Sequence, residues 1–225
     1  MDLALPSKEE FKINKMSRIT LNTKCRICRA EGTKLYLKGT RCFSGKCPIE
    51  KKGAVPPGMH GIKRRRRTSD FGLRLRAKQK AKRIYGVMET QFKNYYLKAK
   101  TLQGLIGDNL LILLEKRLDN VVYLAGLCLS RTHAKQLISH KHLFVNDKKV
   151  NISSYSVKIG DQISLDEKTV KKFKSLLRLQ ERGFKAPLWL DLDKKNHSVT
   201  VVTLPQPDQF SQDIDINLII EYYSR

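Results

Sequence analysis

Long apolar runs are missing from this sequence of 225 residues. The longest apolar cluster, Leu110 to Leu114, is far shorter than the roughly 18 to 20 residues that a membrane-spanning helix requires. The N-terminal segment also lacks the apolar stretch of a secretory signal, and it is not the Arg-rich, acid-poor sequence of an organellar transit peptide. We therefore expect a soluble protein of the cytoplasm.

Acidic residues are also scarce. The sequence contains 21 Asp and Glu against 45 Lys and Arg, which gives a net charge of +24 at neutral pH. Such a surplus favours a polyanionic partner, and because no segment suits a membrane, nucleic acid is the leading candidate. The hydrophobic fraction of 40% is sufficient for a core. The length predicts one large domain or two small domains of about 100 residues each.

Only five cysteines occur, and four of them lie close together with the spacing C-x2-C-x13-C-x4-C. These four are Cys25, Cys28, Cys42 and Cys47. Four thiolates suit a tetrahedral structural Zn²⁺ and leave no open position for a catalytic water. Reduced, metal-free thiols and a disulfide or redox pair are the alternatives, and a reducing compartment disfavours disulfides. The spacing predicts one structural zinc ion, and Cys128, in an apolar stretch, is predicted to be a small buried hydrophobe.

A strongly basic segment follows the turn at 56–58, and Asp70 is its single acidic residue. Thr68 or Ser69 is a suitable N-cap for a helix here. Its apolar stripe is thin, so most of its circumference is cationic, which favours phosphate binding over a merely solvated basic face. The candidate contacts are Lys63, Arg64, Arg65, Arg66, Arg67, Arg74, Arg76, Lys78, Lys80, Lys82 and Arg83.

Hydrophobic periodicity predicts three more helices before residue 141. The first spans 89–100, and the second begins at a cap of Asp108 or Asn109 and ends near Gly126. The third runs from Arg131 to His140 after a Ser130 cap. The candidate RNA contacts of this region are Arg117, Arg131, Lys135 and Lys141.

A β-hairpin is predicted after these helices, with its turn at Asn146-Asp147, and a further strand is predicted over 162–165. Beyond it the pattern indicates a short helix over 167–182 and strands around Trp189 and over 198–204. The segment 214–223 is too apolar for a free C-terminal end. We expect it to pack back on the N-terminal helices.

Residues 117–163, RLDNVVYLAGLCLSRTHAKQLISHKHLFVNDKKVNISSYSVKIGDQI, resemble the helix-helix-hairpin RNA-binding module called the S-four domain. Four other blocks, in the same order along the chain, resemble the zinc-bearing branch of the bacterial-type ribosomal protein S-four family: KCRICRAEGTKLYLKGTRCFSGKCPIE, PPGMHG, SDFGLRLRAKQKAKRIYG and EYYSR. The resemblance extends from about residue 16 to residue 225. Several ordered blocks are far more specific than one motif.

The resemblance implies an α+β fold, in which an S-four domain is inserted into a mostly helical N-terminal domain that carries a zinc knuckle. We expect a disordered tail over 1–16, the knuckle over 17–52 and a basic helical domain over 53–107 that is completed by 186–225. The S-four domain is expected over 108–185. The zinc ligands implied by the family are the same four cysteines.

The function implied by the resemblance is structural. The family binds the 5′ domain of small-subunit ribosomal RNA early in assembly, and it affects decoding accuracy near the channel through which mRNA enters. The implied partners are this RNA, neighbouring small-subunit proteins and mRNA, in a cytoplasmic or organellar ribosome. An RNA-modifying enzyme is the main alternative, but no residues remain for a catalytic domain. A free regulator of mRNA is compatible with the same module.

Overall fold

The computed structural model describes residues 24–61, 68–166, 169–170, 186–193, 196–206 and 214–224. The chain divides into two compact units, with the boundary between Arg66 and Arg67. We call the described residues 24–61 the N-terminal unit and those from 68 to 224 the main unit. The predicted tail, the run Lys63 to Arg67 and nearly all of the predicted helix over 167–182 lie outside the described residues.

The N-terminal unit contains three short helices, α1 (Lys24–Glu31), α2 (Thr40–Phe43) and α3 (Pro48–Lys52). The segment 53–61, which the sequence analysis assigned to the basic helical domain, belongs to this unit. The Arg29 guanidinium donates hydrogen bonds to the carbonyl oxygens of Val55 at 2.9 Å and Pro56 at 3.0 Å. These bonds attach the proline-containing segment to α1, so the boundary between the units falls later in the chain than the composition indicated.

The main unit begins with helices and ends with one. They are α4 (Asp70–Tyr85), α5 (Glu89–Thr101), α6 (Ile106–Glu115) and, at the C-terminal end, α9 (Ile216–Tyr223). The Ser69 hydroxyl accepts a hydrogen bond from the Gly72 N–H at 3.2 Å, so Ser69 is the N-cap of α4, as predicted. Helix α9 packs against α4 and α6, which confirms that the apolar C-terminal segment docks on the helices. Within the described ranges, no helix is long and apolar enough to cross a membrane.

The single helix predicted from Asp108 to near Gly126 is two helices. Helix α6 starts earlier, at Ile106, and α7 (Leu118–Leu124) follows a break at Arg117, whose backbone is extended with ψ 134°. The break lets the chain form an isolated β-bridge between Arg117 and Ser156. Helix α8 (Arg131–Ser139) then starts at its Ser130 cap, as predicted.

A sheet of five antiparallel strands shares one hydrophobic core with α7 and α8. The strands are β1 (Leu143–Val145), β2 (Lys148–Lys149), β3 (Gln162–Leu165), β4 (Leu190–Asp193) and β5 (Ser198–Val201), in the order β2-β1-β3-β5-β4. Asn146 and Asp147 have positive φ values of 48° and 61°, as a two-residue type I′ turn requires. The predicted hairpin is therefore confirmed, and its core side contacts buried Leu137 and Ile138.

The segment 186–206 differs from the sequence expectation, which assigned it to the helical domain. Strand β5 pairs with β3, with Ile163 opposite Val199, and β4 pairs with β5. This pairing satisfies the second edge of β3, which would otherwise expose unpaired backbone groups. Trp189 is only 2% exposed and belongs to the core beneath the sheet. Among the described elements after β3, α9 is the one that packs on α4 and α6.

The docking of α9 depends on the small size of Gly107 in the first turn of α6. A Cβ there would lie 2.5 Å from Cγ2 of Ile216. Alanine is favoured over glycine within a helix by about 0.5–1 kcal/mol, but overpacking costs about 1–3 kcal/mol. We therefore expect Gly107→Ala to lower the free energy of unfolding by about 1 kcal/mol, measured by urea denaturation.

The control for this prediction removes the group with which the new Cβ collides. In an Ile216→Ala background, Gly107→Ala should cost nothing further, because the Cγ2 methyl is absent. A penalty that persists in the double variant would contradict the packing explanation.

Candidate nucleic-acid interface

The basic helix α4 does not present all of its cations to solvent. Lys78 is 3% exposed, and its Nζ lies 2.7 Å from Oε1 of Glu89. Lys82 Nζ lies 3.0 Å from the other oxygen of the same carboxylate. Arg74 Nε lies 2.6 Å from Oε2 of Glu221 on α9. Among the remaining predicted contacts of α4, Arg76 is exposed, and Lys80 and Arg83 are half-buried.

Arg117 also differs from the prediction, because it is buried. It is 2% exposed and forms two hydrogen bonds with Asp119, from Nε at 3.1 Å and from Nη2 at 2.8 Å. Its Nη1 donates to the Tyr95 hydroxyl at 2.7 Å. The guanidinium has hydrogen-bond partners inside the protein, and at 2% exposure it offers little surface to a phosphate. Lys78 differs from the prediction in the same way, because it is buried and paired with Glu89.

Two other predicted contacts connect α8 to the end of α4. Lys135 Nζ donates to the carbonyl oxygens of Tyr85 and Gly86 at 3.3 and 2.5 Å, and it lies 3.4 Å from Asp119. The Arg131 guanidinium lies over the rings of Tyr85 and Tyr123, at 5.2 and 4.5 Å. Both side chains are half-buried, so they position the S-four-like module against the helices and retain only part of their surface.

A buried carboxylate that the sequence analysis missed completes this junction. The Tyr85 hydroxyl donates to Glu115 Oε1 at 2.6 Å, and the Asn120 side-chain amide donates to Oε2 at 2.5 Å. Burial raises the pKa of Tyr85, and the negative charge of Glu115 raises it further. The available signal was the polar pair Asp119-Asn120 within the apolar run of α7, since buried polar groups require partners.

The exposed cations of the module are concentrated near the hairpin. Lys141 follows α8, with a positive φ of 60°, and is exposed. Lys148 and Lys149 form the exposed strand β2, and Lys158 is exposed in the loop before β3. Of these four, the sequence analysis selected only Lys141. The missed signal was the position of the two lysines directly after the turn, where strand β2 has no side chain in the core.

The four clustered cysteines are all in the N-terminal unit. Cys28, Cys42 and Cys47 are buried, Cys25 is half-buried, and all are free thiols. Cys25 and Cys28 lie about one turn apart on α1. Burial raises the pKa of the Cys28 thiol, and the three other thiols of the cluster raise it further, whereas a hydrogen bond from the Leu35 backbone lowers it. In the described part of the chain, no three or more His, Cys, Asp or Glu side chains have a metal-binding arrangement.

Comparisons of the sequence with known proteins identify a family. A family model described as the ribosomal protein S4/S9 N-terminal domain matches residues 20–115, and one described as the S4 domain matches residues 116–163. Small ribosomal subunit protein uS4 of Natranaerobius thermophilus is 47% identical over 203 residues, which are 89% of this chain and 96% of the relative. The uS4 of Syntrophomonas wolfei is 46% identical over 211 residues, 93% and 100% of the two chains. The chain belongs to the uS4 family.

Membership of the uS4 family confirms several expectations. The family is one of structural ribosomal proteins and not of enzymes, and the S4 domain is an RNA-binding module. The uS4 chain has an α+β fold, with a helical N-terminal region and an S4 domain that carries a small antiparallel sheet. The S4 match covers α7, α8 and the hairpin, where the exposed lysines lie.

Proposed function

We propose that this chain is a structural component of the small ribosomal subunit and binds small-subunit ribosomal RNA. The observation that carries the proposal is the match of the S4 domain to α7, α8 and the hairpin, in a chain about 47% identical to uS4 proteins. The resemblance of the ordered sequence blocks supports the finer proposal: early binding to the 5′ domain of this RNA, contact with neighbouring small-subunit proteins, and an effect on decoding accuracy beside mRNA.

The proposed RNA contacts follow from exposure and charge. Exposed Lys141, Lys148, Lys149 and Lys158 can neutralise phosphates without first breaking an internal ion pair. Arg76 on α4 and the run Lys63 to Arg67, which lies outside the described residues, remain proposed contacts. With cations presented mainly to the backbone, RNA shape should determine specificity more than base identity does.

RNA binding can be tested through its salt dependence. The affinity for a transcript of the 5′ domain should fall linearly on a log-log plot, with a slope of roughly −0.7 to −0.9 per neutralised phosphate. A double Lys148→Gln, Lys149→Gln variant should reduce the magnitude of that slope by about 1.4 to 1.8. Filter binding at several salt concentrations measures it. The matched control is Lys100→Gln at the exposed end of α5. An unchanged slope in the double variant would contradict the assignment of phosphate contacts to the hairpin.

We further propose that Cys25, Cys28, Cys42 and Cys47 hold one structural Zn²⁺ in the knuckle over 17–52. Among the described residues of the N-terminal unit, Leu35 is the only buried apolar residue apart from three of these cysteines. A unit of this size cannot be stabilised by so small a core, and a metal is a usual substitute. Zinc would supply cross-linking and no reactive position, since four thiolates fill its coordination.

The zinc proposal is tested by the metal content of the purified chain. Native mass spectrometry should give a mass greater than that of the polypeptide by one zinc ion, and acid denaturation should release it. A native mass equal to that of the metal-free chain, after purification without chelators, would disprove the proposal.

A further inference from the structure

An open pocket of about 530 Å³ lies between α4, the first turns of α5 and the C-terminal helix α9. Its lining combines aromatic rings with charged side chains: Phe71, Arg74, Glu89, Lys93, Tyr222 and Tyr223. We call it the aromatic pocket. None of the contacts proposed above for the hairpin involves it, so it requires a separate explanation.

The aromatic side of the pocket is open to solvent. Phe71 is 55% exposed, although it is a large apolar residue on a helix that is otherwise rich in cations. Its ring centroid lies 5.9 Å from that of Tyr222, at an angle of 36°. Lys78 Nζ lies 4.2 Å from the Tyr222 centroid. The Phe71 ring therefore extends an internally supported aromatic surface into solvent, which is the arrangement that stacks on unpaired bases.

The charged side of the pocket is positive. Lys78 and Lys82 both pair with Glu89. Partial burial alone would raise the pKa of Glu89, but hydrogen bonds from Lys78, Lys82 and the Tyr223 hydroxyl lower it to about 2, so this carboxylate is fully ionised and neutralised. Lys93 at the rim is exposed.

Arg74 is ion-paired with Glu221, but its guanidinium has unused bonding capacity. Its Nε is bonded to Glu221, whereas its Nη1 is buried and has no hydrogen-bond partner among the residues that the structure describes. A buried donor without a partner is costly, so a bound acceptor would be favoured. Arg74 lies three residues after Phe71 on the same face of α4, so a ligand stacked on the ring can reach the guanidinium.

We propose that the aromatic pocket binds one unpaired nucleotide of ribosomal RNA, with its base on Phe71 and its phosphate at Arg74 and Lys93. The inference rests on the RNA-binding function proposed above and names an additional contact for it. A nucleotide carries both an anionic phosphate and an aromatic base, so it would use both the cations and the exposed ring of the pocket. An acidic peptide would need the cations but not the ring.

The test uses the full chain and a transcript of the 5′ domain of small-subunit ribosomal RNA. Loss of one stacked base corresponds to a decrease in affinity of about 10-fold, so Phe71→Ala and Phe71→Leu should both weaken binding by this factor, whereas Phe71→Trp should retain it. Lys93→Gln should reduce the magnitude of the salt slope by about 1. The controls are Leu73→Ala, an exposed apolar residue on the same helix, and Lys100→Gln on α5; both should change affinity less than about 2-fold.

A second readout locates the nucleotide directly. A transcript containing 4-thiouridine, irradiated in the complex, should form cross-links to the peptides that carry Phe71 or Tyr222. If the wild-type chain binds RNA, the Phe71→Ala variant binds equally well and cross-links form only elsewhere, the pocket assignment is wrong. The RNA-binding function would remain intact. Failure of the wild-type chain to bind would overturn both. If Phe71→Ala binds RNA normally but enters reconstituted small subunits poorly, the pocket holds a neighbouring protein, and the nucleotide proposal is wrong.

Discussion

Asp119→Ala is expected to lower the free energy of unfolding of the main unit by about 3–5 kcal/mol. Asp119 accepts two hydrogen bonds from Arg117, and both side chains are almost completely buried. Without the carboxylate, the Arg117 charge remains in the interior with only the neutral Tyr95 hydroxyl as a partner. Urea denaturation of the variant, followed by circular dichroism, measures the loss.

The control replaces both members of the pair. An Arg117→Met, Asp119→Leu variant removes both charges and leaves apolar side chains in their place, and replacement of a whole buried ion pair by apolar residues is often neutral or stabilising. We expect it to be more stable than Asp119→Ala by at least about 2 kcal/mol. If the two variants were equally destabilised, the loss would reflect packing and not an unpaired buried charge.

The position of Arg117 also shows why the candidate site was only partly predictable. Charge along the sequence identifies a cation but not its partner, and the partners of Arg117 lie on α7 and α5. Lys78 is a similar case, because Glu89 follows it on the next helix. In both residues a favourable internal ion pair replaces the phosphate contact that composition indicated. Lys141 has no such role in the described structure, and its exposure agrees with the prediction.

The elements that were predicted well are those determined by local sequence. The Ser69 and Ser130 caps and the Asn146-Asp147 turn each depend on a few adjacent residues. The pairing of Ile163 with Val199 joins strands that are far apart in the chain, and no periodicity specifies it. The prediction for 186–206 therefore failed on location and not on secondary structure, since both strands form near where the alternation placed them.

Cys28→Ser should produce the largest effect in the N-terminal unit. Structural zinc contributes an apparent binding free energy of about 10–16 kcal/mol in zinc-finger peptides, and this energy is available only to the folded state. With Leu35 as the main apolar residue buried beside the cysteines in the described unit, the loss of a ligand could not be offset by the core. We expect loss of zinc, rapid proteolysis within 24–61 and loss of amide protection there.

The main unit provides the comparison for this variant, because its own core contains Leu118, Ile138 and Ile163, all completely buried. The thermal transition of the main unit should therefore remain within about 2 °C of the wild-type value. A loss of about 1 kcal/mol in the free energy of unfolding would shift the Tm of a domain of this size by about 2–4 °C. Cys128→Ala is the matched cysteine control: it removes a thiol from the core of the main unit and should leave the zinc content unchanged. Amide protection across 24–61 that survives both Cys28→Ser and chelation would show that this unit folds without metal, and the four cysteines would then be ordinary packing residues.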